Sequence, residues 1–74
     1  MFTLSQVIEG LSGGVTYHRE LDSDRGYETL TPLGNGDFRH DVRGGANGGW
    51  GGSANLPIAT LCNGRWPNDK WRRA

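Results

Sequence analysis

Residues Arg43 to Ser53 read R-G-G-A-N-G-G-W-G-G-S, and six of these eleven are glycine. Glycine leaves the backbone exposed and pliable. The run divides the chain into a patterned N-terminal part and a shorter apolar strand followed by a basic, tryptophan-bearing end. It is expected to be a long loop between two strands. Its one large side chain, Trp50, either folds back over the sheet to cover the core or faces a partner.

A chain of 74 residues makes one domain at most, near the size where a single core barely suffices. Leu, Ile, Val and Phe together number 14, about 19% of the chain. That sits just under the level associated with disorder, but disorder also requires a high net charge. Here eight basic residues balance eight acidic ones, so a thin core with flexible attachments is expected.

The neutral total conceals a split. Residues 1–42 carry three arginines against seven acidic residues, net −4, whereas residues 43–74 carry five basic residues against Asp69, net +4. Such a split suggests an interaction tail. A dedicated duplex-binding domain is normally basic overall, because its affinity comes largely from phosphate neutralisation. Cys62 is the only cysteine, so no internal disulfide can form and a secreted, stapled fold is not expected. No apolar run is long enough to span a bilayer, and the N-terminus lacks the pattern of a signal peptide. A cytoplasmic protein is the resulting expectation.

Thr3-Leu4-Ser5-Gln6 has the T-x-x-Q pattern of a capping box, and Leu4, Val7, Ile8 and Leu11 then recur on one helical face up to Gly13-Gly14. A helix this short needs a sheet to pack on. Alternation and turn residues predict strands over 15–21, 27–33 and 37–43, separated by the clusters Asp22–Gly26 and Gly34–Gly36. Pro32 limits the second strand to an edge or an early end. In the third, Phe38, His40 and Val42 share one face and Asp37, Arg39, Asp41 and Arg43 the other, a solvated face first and a binding face second. Residues 55–62 predict a fourth strand, pairing with either the first or the third. The expected fold is therefore α+β, one short N-terminal helix on a small three- to four-stranded antiparallel sheet. Residues 1–62 form this domain, with a Gly-rich loop at 43–53, and residues 63–74 a flexible basic and aromatic tail.

Catalysis has little to stand on. His18 and His40 would be cross-strand neighbours if the hairpins paired simply, and with Cys62 could complete a zinc site, but no C-x-x-C or H-x₃₋₅-H spacing supports it. Cys62 reads as a small buried hydrophobe, no serine lies in G-x-S-x-G, and the glycine run lacks the G-K-[ST] of a phosphate loop. Neither a cofactor nor a metal is expected. Binding is better supported. Arg65, Trp66, Lys70, Trp71, Arg72 and Arg73 interleave cations with indoles, the residue types that dominate interface hot spots, and Arg43 and Trp50 add a second such group.

The opening M-F-T-L-S-Q-V-I-E-G, the closely spaced hairpins, the G-G-A-N-G-G-W-G-G segment and the length together resemble the small bacteriophage transcription regulators of the Xanthomonas-phage type. The resemblance implies a non-enzymatic protein that binds bacterial RNA polymerase near the RNA exit channel, including the N-terminal end of the largest subunit. It further implies displacement of σ at initiation and antitermination during elongation, helped by NusA. A monomer in the host cytoplasm is expected, with Arg43, Trp50, Arg65, Trp66, Lys70, Trp71, Arg72 and Arg73 as contacts inferred from their chemistry. Two other readings fit the residues: a single-stranded nucleic-acid-binding module that stacks bases on the tryptophans, and an anti-defence inhibitor of another bacterial complex.

Overall fold

In the computed structural model, which describes residues 1–22, 25–45 and 49–74, the capping box closes the start of helix α1 (Leu4–Ser12). Gln6 N–H donates to Thr3 Oγ1 at 3.2 Å while Thr3 N–H donates to Gln6 Oε1 at 2.8 Å. Val7 and Leu11 are buried, and Leu4 and Ile8 pack at the margin of the core. Gly10 lies where the helix crosses Tyr17, and a Cβ there would overlap the phenol ring.

Four strands follow: β1 (Tyr17–Glu20), β2 (Tyr27–Pro32), β3 (Asp37–Gly44) and β4 (Trp50–Pro57). A 3₁₀ helix (Ile58–Cys62) and a short β5 (Arg72–Arg73) complete the order. The sheet is antiparallel throughout, with spatial order β4-β3-β2-β1-β5. The domain is thus α+β, with a fifth strand beyond those expected. The Gly34–Gly36 turn carries positive φ at both glycines, 82° and 87°, and Asp37 N–H donates to Asn35 Oδ1. Of the expected Asp22–Gly26 turn, Ser23 and Asp24 lie outside the described residues; across it, Leu21 N–H donates to the Gly26 carbonyl at 2.8 Å.

The glycine run is not a long loop. Gly44 pairs with Trp50, Arg43 with Gly51 and Val42 with Gly52, so most of it belongs to the β3–β4 hairpin; Ala46, Asn47 and Gly48 lie outside the described residues. The fourth strand begins five residues earlier than expected and pairs with β3; the apolar residues 58–62 turn into a 3₁₀ helix instead. Glycine weakens a strand, but pairing with β3 overrides that preference. At Gly51 it is required: φ is 137°, and a Cβ would overlap the Val42 carbonyl.

The C-terminal segment is not a flexible tail. Trp71 is fully buried in the core with Val7, Leu11, Tyr17, Leu30, Phe38 and Leu61. Phe2 N–H donates to the Trp71 carbonyl at 2.7 Å, and the Trp71 indole N–H donates to the Pro67 carbonyl at 3.0 Å. Leu4 N–H donates to Asn68 Oδ1 at 2.7 Å, and Ala74 N–H to the Thr16 carbonyl at 3.1 Å. Asp69 takes φ 56°, a left-handed conformation that Asp tolerates. The physical reason is the thin core. Burying an indole of about 200 Å² contributes roughly 3–5 kcal/mol, which together with the Asn68 bond and the β1–β5 pairing orders a segment with no periodicity of its own.

Trp71→Ala is expected to cost about 3–5 kcal/mol in urea denaturation, and removal of residues 64–74 to abolish cooperative melting. A truncated chain that keeps the native circular dichroism and melts cooperatively would contradict this packing.

Candidate partner-binding surface

Cross-strand register sorts the side chains onto two faces. Tyr17, Leu30, His40 and Ala54 lie in one row, and Arg19, Glu28, Val42 and Gly52 in the next. Because Tyr17 and Leu30 are buried under α1, the charged residues Arg19, Glu28 and His40 also face inward. Glu28 is only 7% exposed and holds the cluster together. One carboxylate oxygen pairs with Arg19 Nη2, and the other meets His40 Nε2 at 2.7 Å. Arg19 Nε is buried without a hydrogen bond, and the guanidinium lies over the Trp71 ring at 5.6 Å. Trp66 packs edge-on against both His40 and Phe38.

This cluster escaped reading from the sequence, although a signal was present. Arg19 shares strand parity with Tyr17, Glu28 with Leu30 and His40 with Phe38, so each lies two residues from a core position. His18 and His40 are not cross-strand neighbours. His18 pairs with Thr29 on the outer face and stacks on Tyr27, while His40 faces inward opposite Leu30. Among the described residues, no group of three or more His, Cys, Asp or Glu is placed to hold a metal. Cys62 is exposed, contrary to its expected burial.

The residues inferred as contacts fall into three groups. Trp71 is buried and Trp66 half-buried, so these indoles anchor the segment that carries the cations. Arg65, Lys70, Arg72 and Arg73 are exposed on it. Arg72 pairs with Glu20 at 2.6 Å, and the Arg73 guanidinium lies over the Phe2 ring at 5.6 Å. Arg19, Lys70 and Arg72 line a cleft of about 400 Å³ with Met1, Glu20 and Asp22. The surface is therefore a firmly held, two-signed edge suited to a charged polypeptide or nucleic-acid strand.

Arg43 and Trp50 lie at the other end of the sheet, apart from this edge. The Trp50 ring occupies the space over Gly44 yet remains 41% exposed. Arg43 Nη1 donates to the Val42 carbonyl, and Nη2 to Ser53 Oγ. Ser53 Oγ also donates to Asp41 Oδ1, which accepts from Arg39 Nε at 3.2 Å. The Ser53 hydrogen bond, with lesser help from Arg39 and Arg43, holds the Asp41 carboxyl below its ordinary value of 3.8 against partial desolvation. A depressed carboxyl contributes stability above its unfolded value, and that stability is lost as pH falls through the folded value.

Ser53→Ala is expected to move the Asp41 titration upward toward 3.8, as read by NMR of the carboxyl carbon. Its stability deficit relative to wild type should be present at neutral pH and vanish once Asp41 is protonated in both. Glu28→Gln is expected to cost about 3 kcal/mol, because the half-buried Arg19, with its Nε shielded from solvent, would be left without its counterion. The double variant Arg19→Leu/Glu28→Leu should recover most of that loss in urea denaturation; a double-variant loss equal to the sum of the Arg19→Leu and Glu28→Leu losses would show that the pairing contributes nothing.

Comparison of the chain with protein-family models, with curated proteins and with solved structures finds no match to any of them. No helix among the described residues is long and apolar enough to cross a membrane.

Proposed function

We propose that this protein is a non-enzymatic regulator that acts by docking on a larger macromolecular machine, and that the machine is bacterial RNA polymerase. One observation supports docking above all: Lys70, Arg72 and Arg73 are exposed on a segment pinned by a fully buried tryptophan. Cations held this way lose less freedom on binding than cations on a free arm, so more of the contact energy appears as affinity. Electrostatics on a two-signed edge sets encounter rate and register more than final affinity. The identity of the partner comes from the likeness of M-F-T-L-S-Q-V-I-E-G and the Gly-Trp segment to phage transcription regulators.

On this reading the protein works in the cytoplasm of the infected cell. It contacts the polymerase near the RNA exit channel, at the N-terminal end of the largest subunit, displaces σ at initiation and promotes antitermination with NusA. The inward turn of Trp66 and Trp71 weighs against the single-stranded nucleic-acid reading, since it withdraws two of three stacking platforms.

Tagged protein recovered from bacterial lysate is expected to carry polymerase subunits, identified by mass spectrometry. The Lys70→Glu/Arg73→Glu variant should bind purified polymerase about tenfold or more weakly with little change in melting temperature. Recovery of a nuclease complex instead would replace the polymerase reading with the anti-defence one. Tight, steeply salt-dependent binding of single-stranded nucleic acid by the free protein would replace it with the third.

A further inference from the structure

The two edges of the sheet are unlike. At one edge β5 is two residues long, and both are arginine, with Arg72 paired to Glu20. Short length and charge are the usual protections of an edge against further pairing. At the other edge β4 runs for eight residues, W-G-G-S-A-N-L-P, with no charge, and every residue except Leu56 is exposed. Small side chains leave the backbone of this strand open to another chain.

The phase of the β3–β4 ladder identifies which groups point outward. Ile58 N–H donates to the Gly36 carbonyl at 2.9 Å, which makes Asp37–Pro57 a non-hydrogen-bonded pair. Alternation from there turns Leu56, Ala54 and Gly52 toward β3. It turns the N–H and C=O groups of Gly51, Ser53 and Asn55 away from the sheet. These outward groups form the template.

We infer that this edge pairs with a second copy of the same strand, antiparallel, about a two-fold axis at Ser53. In that register Ser53 faces Ser53 of the second copy, and Gly51 faces Asn55 on either side, all as hydrogen-bonded pairs. Gly52 faces Ala54, and Trp50 faces Leu56. The half-exposed indole thereby gains an apolar cross-strand neighbour at each end of the interface. Two features favour a second copy over a foreign strand. The strand carries no charge of its own and the Arg39 and Arg43 guanidinium groups that reach Ser53 are accompanied there by the Asp41 carboxylate, so the axis gathers both signs, and the chain's formal net charge is zero. The two-fold consumes both open edges and leaves only the guarded β5 edges outside, so the assembly closes as a dimer.

This inference is independent of the polymerase reading: the cationic edge lies at the far side of the sheet, and either can fail alone. Sedimentation equilibrium in reducing buffer, which prevents a Cys62 disulfide, tests it from about 1 μM to about 1 mM. The mass is expected to rise to twice the 8.1 kDa monomer. Ser53→Lys places two ammonium groups opposite one another at the axis, and Asn55→Pro removes an outward donor without touching the ladder to β3. Both variants should stay monomeric with unchanged circular dichroism. In the wild type, the amides of Gly51, Ser53 and Asn55 should gain protection from hydrogen exchange as concentration rises. Wild type that remains monomeric throughout, a dimer that persists in both folded variants, or a dimer in which those amides stay unprotected would each overturn the inference.

Discussion

The Trp71 indole is the point at which both ends of the chain meet the sheet. Its backbone carbonyl accepts from Phe2, its ring supports Arg19 of β1, and the two residues after it form the fifth strand. A chain with so few large apolar residues cannot leave a tryptophan outside without thinning its core further. Ordering of the C-terminal segment, placement of the N-terminus and coverage of the charged inner patch therefore all depend on one side chain. The cost is the backbone freedom of about ten residues, and it is shared among the indole, the Asn68 bond to the helix start and the β1–β5 pairing.

The inner face combines an apolar half under the helix with a charged half under the two indoles. Arg19, Glu28 and His40 come from three adjacent strands, so their contacts specify register across β1, β2 and β3. A one-residue slip would move Glu28 to the outer face and strand Arg19 inside. Such a cluster adds little net stability compared with apolar packing of the same volume, but it penalises wrong registers strongly. In a sheet whose β4 is mostly small residues, that penalty complements what a thin core can enforce.

The outer face and edges follow a different logic. Asp41 lies among Arg39, Arg43 and Ser53, so its charges are satisfied locally and the face stays solvated. Four of the six exposed cations among the described residues, Arg65, Lys70, Arg72 and Arg73, lie on the C-terminal segment, while the uncharged backbone is offered at the β4 edge. Two surfaces of opposite chemistry at opposite ends of one small sheet allow two separate contacts without competition for space.

Features that depend on near neighbours are legible in the sequence. The Thr3–Gln6 box, the Val7–Leu11 face, the Gly34–Gly36 turn and the parity of Phe38, His40 and Val42 all follow from spacing within a few residues, where backbone geometry alone sets which side chains meet. The same parity covers Arg19 and Glu28, but burial of a charge makes sense only when its partner on another strand is known. Tertiary structure alone decided that Trp71 turns inward, that Trp50 to Pro57 is a strand despite its glycines, and that Ile58 to Cys62 is not one. Each of those outcomes is set by a surface made from residues distant in the chain. No local pattern encodes how much that surface gains when an indole or a bare backbone is laid against it.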